Sequence, residues 1–263
     1  MVTEPGVYEG IPDVVYHADQ GSLSHSGAKK LLESPARYKY EQEHPTPPTP
    51  AMEEGTALHS LILEGKVVHV VVDGGRGVTE RKDEARTNGH IPVTAETAAH
   101  IEGMADAIRN HPEANGVLTK ATSREVSAYA TDPTTNILMR CRFDALHPRY
   151  GVDVKTTRSI GEFDAGRPLV TYGYAMQAAW YTTVADLSGQ PLDTFLFLLV
   201  EKEPPYFVAV RELEAVSVEY GRVLMRRALD LYAACNATGV WPGPAPFKTI
   251  SVPYWALREE GLT

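Results

Sequence analysis

Three consecutive segments in the middle of the chain alternate apolar and polar residues, which is the pattern of half-buried β-strands. Separated by short turns, they cover residues 124–131, 137–145 and 151–156. In the second segment the apolar residues share one face, and the other face carries Arg140, Arg142 and Asp144. The pattern predicts an antiparallel meander with one apolar face and one polar face.

Apolar residues at helical spacing occur on both sides of this meander. The predicted helices cover residues 24–43 (divided at Pro35), 55–64, 94–110, 169–187 and 215–238. Short apolar runs predict further strands at residues 67–72, 194–200 and 206–211. The stretches rich in proline, glycine or charge are predicted to be irregular, namely residues 1–21, 44–55 and 73–90.

This order of elements predicts one α/β domain over residues 1–263, with a central mixed β-sheet flanked by helices. Its expected parts are an N-terminal helical addition at 1–66, a sheet core at 67–211, and a C-terminal helix and tail at 212–263. The tail is rich in proline and aromatic residues, so we expect it to pack back on the domain.

The composition, 43% hydrophobic and 22% charged, is typical of a globular protein. No apolar run approaches the ~20 residues that span a bilayer, and the first residues lack the pattern of a signal peptide. The two distant cysteines, Cys141 and Cys235, fit a reduced compartment, so we expect a cytoplasmic protein without a membrane partner. The net charge of −9 excludes a generally basic surface, so any contact with nucleic acid must be local.

The polar face of the meander ends in two acids and a lysine. Asp144 closes the second strand, and Asp153 and Lys155 point to the same side of the third strand. Carboxylates hold hard divalent cations, and a lysine beside them can act on a water molecule or on developing negative charge. This combination predicts metal-dependent hydrolysis of phosphodiesters.

Other residues are less specific when they are considered alone. A lone histidine such as His59 is more often structural or exposed than a ligand. The basic residues around Lys29 and Lys30 are more often a solvated helix face than a phosphate-binding surface. In the helix at 169–187, Gln177 and Tyr181 lie one turn apart within an aromatic stripe, and the glutamine is the feature that suggests a site.

The order of four segments resembles the PD-(D/E)XK nuclease superfamily and its RecB-like branch. The segments are GTALHSLILE, RCRFDAL, GVDVKTT and QAAWY. Over nearly the whole chain, from YHADQGSLSHSGAKKLLESPARY to WPGPAPFKTISVPYWA, the sequence is similar to the nuclease domain of RecE-type exonucleases (exonuclease VIII). The resemblance implies a restriction-endonuclease-like core with N-terminal helical additions.

The resemblance also implies roles for individual residues. Asp144 and Asp153 would bind metal together with the backbone carbonyl of Val154, and Lys155 would position or deprotonate the attacking water. His59 would be a ligand or near-ligand of a second metal.

Glu125 would add a further acid, and Gln177 and Tyr181 would orient Lys155 or a phosphate. The expected contacts with DNA come from a local basic set, namely Lys29, Lys30, Arg37, Arg140, Arg142 and Arg158.

A RecE-type enzyme would use Mg²⁺, with Mn²⁺ as a substitute and two ions in the site, and would not need ATP. It would degrade linear duplex DNA from 5′ to 3′, leave 3′ single strands, form a homo-oligomeric ring, and work with a single-strand annealing protein of the RecT type in a bacterial host. The alternatives are a RecB-like single-strand or endonucleolytic enzyme, and a non-catalytic DNA-binding subunit on a nuclease scaffold. A purely structural protein is a further reading, but it leaves the glutamine-containing helix unexplained.

Overall fold

The computed structural model describes residues 2–245 and 249–262. Its strands are β1 (Gly6–Tyr8), β2 (Leu23–Ser24), β3 (His69–Val71), β4 (Ile91–Val93), β5 (Ser123–Thr131), β6 (Leu138–His147), β7 (Tyr150–Thr157), β8 (Thr194–Glu201) and β9 (Val208–Glu212). Its longer helices are α2 (His25–Glu33), α3 (Pro35–Glu43), α4 (Pro50–Leu63), α5 (Val78–Thr87), α6 (Ala95–Asn110), α7 (Pro112–Lys120), α10 (Tyr174–Leu187) and α11 (Ala215–Thr238). Its short helices are α1 (Asp13–Ala18), α8 (Ile160–Asp164), α9 (Arg167–Thr171) and α12 (Tyr254–Glu259).

A seven-stranded mixed sheet forms the centre, in the order β1-β5-β6-β7-β8-β9 with β2 paired to β6. The β5–β6, β6–β7 and β8–β9 pairs are antiparallel, whereas β7–β8 and β2–β6 are parallel. The strands β3 and β4 form a separate two-stranded parallel sheet. The predicted meander is therefore confirmed as the middle of a larger sheet.

Helices cover both faces of the main sheet. On one face α2, α10 and α11 bury a cluster that includes Phe143, Trp180 and Phe197. On the other face α4, α6 and α7 bury a second cluster that includes Val154 and Leu198. The predicted α/β architecture, a mixed sheet flanked by helices, is confirmed. Within the described residues, no helix combines the length and apolar character needed to span a bilayer.

The N-terminal part is more ordered than its sequence pattern predicts. Residues 1–21 contain β1, which pairs with β5, and α1, whose Tyr16 is buried. The loop predicted at 44–55 ends early, because Pro50 occupies the first turn of α4 and the Thr49 side chain accepts a hydrogen bond from the Met52 N–H. The N-terminal addition also supplies β1 and β2 to the main sheet, so it is not purely helical.

Three other regions differ from the predictions. The long loop predicted at 73–90 contains α5, a mostly charged helix without the apolar stripe on which the prediction relied. The helix α7 was not predicted. The helix predicted at 169–187 is divided into α9 and α10 at Gly173, whose left-handed backbone (φ +74°) ends one helix and begins the next.

The tail contacts the domain as predicted at Trp241, whose ring lies 5.8 Å from those of Tyr38 and Tyr232. Residues 246–248 of the tail lie outside the described residues. The division of the chain at residues 66 and 211 stays a prediction.

Close contact between α10 and α11 generates a stability prediction, because a Cβ added at Gly221 would lie 2.0 Å from the Ala175 carbonyl oxygen. We expect Gly221→Ala to lower the free energy of unfolding by about 1–3 kcal/mol or more. The control is Gly116→Ala in α7, where an added Cβ meets no atom within 4 Å and helix propensity should raise stability by about 0.5–1 kcal/mol. Urea unfolding measures both changes, and equal effects would contradict the packing of α10 on α11.

Candidate active site

The strands β6 and β7 separate at the centre of the sheet. They pair from His147 and Tyr150 to Ala145 and Val152, and the register then stops. β5 pairs along one edge of β6. On the other edge, β2 pairs with Met139 and Arg140, beyond the point where β7 stops pairing. β6 and β7 therefore form a fork in the sheet: beyond Ala145 and Val152 they are no longer paired with each other, while β6 stays paired with β5 and β2 and β7 stays paired with β8.

Asp144 lies at the point where the fork opens. Its Oδ2 accepts a hydrogen bond of 2.6 Å from the backbone N–H of Val154. This hydrogen bond takes the place of a backbone hydrogen bond between β6 and β7. One step beyond the last pair, the register places Asp153 opposite Asp144. The β5–β6 register likewise places Glu125 opposite Asp144. Three acids from three neighbouring strands therefore meet at one position along the sheet.

The backbone of Glu125 is left-handed, with φ +50°. Residues with a side chain rarely adopt this conformation, and it costs of order 1–3 kcal/mol. Such strain is common at functional sites, where the surrounding structure holds it in place. The feature supports a role for Glu125 beyond that of a strand residue.

Asp153 is only 4% exposed and is held from two sides. Its Oδ1 accepts a hydrogen bond of 2.7 Å from the Gln177 side chain, and the Lys155 ammonium lies 2.6 Å from its Oδ2. The Lys155 Nζ also lies 5.7 Å from the centre of the Tyr174 ring. Gln177 therefore orients Asp153 directly, and its predicted role toward Lys155 or a phosphate stays a prediction. Tyr181 lines the same cleft, but its ring packs edge to face on Phe143.

His59 reaches the site from α4, where the buried Leu58 and Leu61 fix the helix on the sheet. Its Nε2 lies 3.1 Å from the carbonyl oxygen of Val154, and its Nδ1 lies 3.6 Å from Asp144 Oδ2. The histidine therefore contacts two of the three groups that the resemblance assigns to a metal. This position could not be inferred from the residue alone.

The acids are held in an environment that disfavours their charge. Burial raises the pKa of Asp144 to about 6; His59 opposes that shift and Asp153 adds to it. Burial and the charge of Asp144 raise the pKa of Glu125 to about 7. Burial lowers the pKa of Lys155, but the charges of Asp153 and Asp144 outweigh it and raise the pKa above its usual value. The site therefore has excess negative charge that a bound cation would neutralise.

The donor set fits a hard divalent cation. His59, Glu125 and Asp144 each offer one ligand atom, and these atoms lie within 4.8 Å of one another. The buried Oδ2 of Asp153 has Lys155 as its charge partner but accepts no directed hydrogen bond from the described residues. Carboxylate oxygens are the donors that Mg²⁺ and Mn²⁺ prefer, so the two acids can hold such an ion with the His59 imidazole beside them. These three residues are part of the predicted metal set, which also includes Asp153 and the Val154 carbonyl.

A cleft of about 670 Å³ opens over these residues. Lys29 and Lys30 line its wall, where Lys30 pairs with Glu41 at 2.6 Å and the Lys29 Nζ lies 5.9 Å from the centre of the Tyr172 ring. Two further residues of the predicted DNA-binding set, Arg37 and Arg158, are exposed but do not line the cleft.

Arg140 and Arg142 lie on the predicted polar face of β6 beside Asp144. Both line the cleft but are buried, and both guanidinium groups lie over the ring of Tyr16, at 5.1 and 4.3 Å. Arg140 donates to Ser22, and Arg142 donates to Ser127, Asp13 and the carbonyl of Ile11. Because most of these contacts go to the N-terminal segment, the arginines hold α1 on the sheet, and their predicted contact with DNA stays a prediction.

Sequence reasoning missed His25, Tyr174 and the α1 residues Asp13 and His17, all of which line the cleft. Tyr174 had a signal, because it precedes Gln177 by one helical turn. His25 had none beyond its place beside the helix cap Ser24, since its contact lies 148 residues away along the chain.

A family model described as "PDDEXK-like domain of unknown function (DUF3799)" matches residues 24–246, which is most of the chain. The chain belongs to this family. The match places it among PD-(D/E)XK-like domains, in agreement with the acidic centre described above. No curated protein matches the chain.

A solved structure shares the fold of this chain, and two others are more distantly similar. A protein of Eubacterium rectale, provisionally assigned as an exonuclease, is 14% identical with a TM-score of 0.63, and the match covers 97% of this chain and 99% of that one. An alkaline exonuclease (LHK-Exo) of Laribacter hongkongensis is 14% identical over 72% of this chain and 96% of that one, with a TM-score of 0.34. A phage-related exonuclease of Haemophilus somnus is 14% identical over 83% of this chain and 96% of that one, also at 0.34. The first match supports the fold, and the other two are too distant to add to it.

The raised pKa values generate a prediction for Asp144→Asn. Asp144 and Glu125 hold their protons more tightly in the folded chain, so their stabilising contribution is complete below about pH 4 and is lost as the pH rises through about 6 and 7. Asparagine keeps an acceptor for the Val154 N–H and removes the charge. The Tm of the variant relative to the wild type should therefore rise from pH 4 to pH 8, as measured by differential scanning fluorimetry.

A matched control does not show this rise. A hydrogen bond from Arg211 lowers the pKa of the exposed Asp164, so the stabilising contribution of its charge is already complete above about pH 4 and is lost only at lower pH. The Tm of Asp164→Asn relative to the wild type should therefore stay nearly constant from about pH 5 to pH 8. Mg²⁺ or Mn²⁺ at pH 8 should raise the Tm of the wild type and of Asp164→Asn, but not that of Asp144→Asn. An equal metal-induced shift in all three proteins would contradict the proposed ligand role of Asp144.

Proposed function

We propose that this protein is a Mg²⁺-dependent nuclease that hydrolyses DNA. The observation that carries the proposal is the meeting of Asp144, Asp153 and Lys155 at the fork between β6 and β7, with His59 and Glu125 beside them. A structural role alone does not account for this arrangement, because buried acids that face one another destabilise the fold in the absence of a cation.

The side chains divide the chemical work. Asp144, Glu125 and His59 would hold a divalent cation, which when bound supplies Lewis-acid activation and neutralises charge on the phosphate. Gln177 fixes the rotamer of Asp153, and Asp153 in turn fixes the Lys155 ammonium. The Lys155 ammonium, held against Asp153, would stabilise negative charge developing at the scissile phosphate and orient the attacking water.

The substrate we propose is the end of linear duplex DNA, degraded from 5′ to 3′ without ATP. The exonuclease assignment of the Eubacterium rectale protein supports exonucleolytic action, and the resemblance to RecE-type enzymes supports the polarity. Lys29 and Lys30 provide local positive charge on the cleft wall despite a net charge of −9. A homo-oligomeric ring, a RecT-type annealing partner and a role in recombination in the bacterial cytoplasm belong to the same proposal and rest on the resemblance.

A time course on end-labelled DNA tests the function. Linear duplex labelled at the 5′ or the 3′ end is incubated with and without Mg²⁺, in the absence of ATP, beside closed circular duplex and single strands. We expect Mg²⁺-dependent release of the 5′ label as mononucleotides and no cleavage of circles. Cleavage of circles or a preference for single strands would favour the RecB-like alternative, and binding without cleavage would indicate a non-catalytic subunit.

Lys155→Gln removes the positive charge of the lysine and keeps a polar side chain beside Asp153. Glutamine can still donate to Asp153, so we expect a folded protein that binds duplex DNA but whose kcat is reduced by roughly 10²–10⁴-fold. The control, Lys120→Gln, changes an exposed lysine at the end of α7 and should leave kcat unchanged. Digestion by Lys155→Gln at the wild-type rate would remove Lys155 from the mechanism.

A further inference from the structure

His25 is a cleft residue for which the chemistry above has no use. It is the first residue of α2, and its Nε2 lies 3.1 Å from the carbonyl oxygen of Gly173 at the start of α10. A carbonyl oxygen only accepts hydrogen bonds, so the Nε2 of His25 must carry the hydrogen. This contact joins the N-terminal helices to the helix that carries Gln177.

The Gly173 carbonyl is a shared acceptor. It also receives the backbone N–H of Gln177 at 2.9 Å, which is the first hydrogen bond of α10. Gly173 has the left-handed backbone that separates α9 from α10, so the direction of its carbonyl is set at a junction and not within a continuous helix. A second donor at this carbonyl therefore fixes where the first turn of α10 begins.

The first turn of α10 in turn holds the reacting groups. The Gln177 side chain donates to Asp153 Oδ1 at 2.7 Å, and Asp153 Oδ2 lies 2.6 Å from the Lys155 ammonium. Tyr174, next to Gly173, places its ring 5.7 Å from the same ammonium. A continuous series of contacts thus runs from His25 through Gly173 and Gln177 to Asp153 and Lys155.

We propose that His25 is a positioning residue for the hydrolytic site, acting through the Gly173 carbonyl to fix Gln177 and, through it, the Asp153–Lys155 pair. Partners that orient the groups around a metal site commonly change metal affinity or activity by about 10–100-fold when they are removed. Burial and the nearby Lys155 ammonium lower the pKa of His25 to about 4, so the ring stays neutral and keeps one fixed donor across the working pH range. Of the measurements that test this inference, only the activity readout rests on the proposed nuclease function.

The test compares His25→Gln with His25→Asn. The glutamine amide nitrogen can occupy the place of the imidazole Nε2, whereas the asparagine side chain is one bond shorter and cannot reach the Gly173 carbonyl. We expect His25→Asn to lower kcat by roughly 10–100-fold with an unchanged KM for duplex DNA. His25→Gln should restore most of the loss. The apparent affinity for Mn²⁺ and the hydrogen-exchange protection of the Gln177 amide should follow the same order in the two variants.

Two outcomes would overturn the inference. In the first, the hydrogen-exchange protection of the Gln177 amide and the affinity for Mn²⁺ are the same in His25→Asn as in the wild type. In the second, His25→Asn and His25→Gln lose kcat to the same extent, which would indicate that the imidazole acts by packing and not by its hydrogen bond. If His25→Asn does not fold, the nitrogen NMR spectrum of the wild-type ring decides, because an Nε2 without hydrogen would contradict the contact. If the wild type shows no nuclease activity, the proposed function fails. The Mn²⁺ affinity and the hydrogen exchange of the Gln177 amide still test the positioning role of His25.

Discussion

The hydrogen bond from the Val154 N–H to the Asp144 carboxylate is the interaction on which the centre of this molecule depends. In an ordinary sheet that N–H would be satisfied by a neighbouring backbone carbonyl. Here a side chain takes that place, so β7 can leave β6 without an unsatisfied donor. The separation exposes the carbonyl of Val154 to His59 and places Asp153 opposite Asp144. A local exchange of hydrogen-bond partners thus turns a structural sheet into a site.

Positive charge is used in two distinct ways around this site. Arg140 and Arg142 are buried, stack on Tyr16 and hold the N-terminal segment, so their planar donor groups serve the fold. Lysines carry the charge that faces the cleft, with Lys155 at the acids and Lys29 on the wall. Sequence position alone does not distinguish these uses, because all of these side chains belong to polar faces of regular elements.

The sequence allowed good prediction where contacts follow from regular geometry. Alternation on β6 and β7 correctly assigned the faces of Asp144, Asp153 and Lys155, since a strand has a fixed period. Where a contact joins distant segments, the residue pattern alone was not enough: the position of His59 depends on the packing of α4 and was expected from the family resemblance alone. The contact between Arg142 and Asp13, 129 residues apart, was not expected. The helix α5 was missed for another reason, because its charged sequence has no apolar stripe to reveal it.

The pairing of the arginines with α1 has a consequence for where this domain starts. The family model begins its match at residue 24, yet Ile11, Asp13, Tyr16 and Ser22 all contact Arg140 or Arg142. A fragment cut at the family boundary would remove the Ser22 partner of the buried Arg140 and the Asp13 and Ile11 partners of Arg142, which would keep its contact with Ser127. Each buried donor left unsatisfied costs about 1–3 kcal/mol. The cooperative folding unit therefore extends beyond the family boundary, and fragments for expression should retain the N-terminal segment.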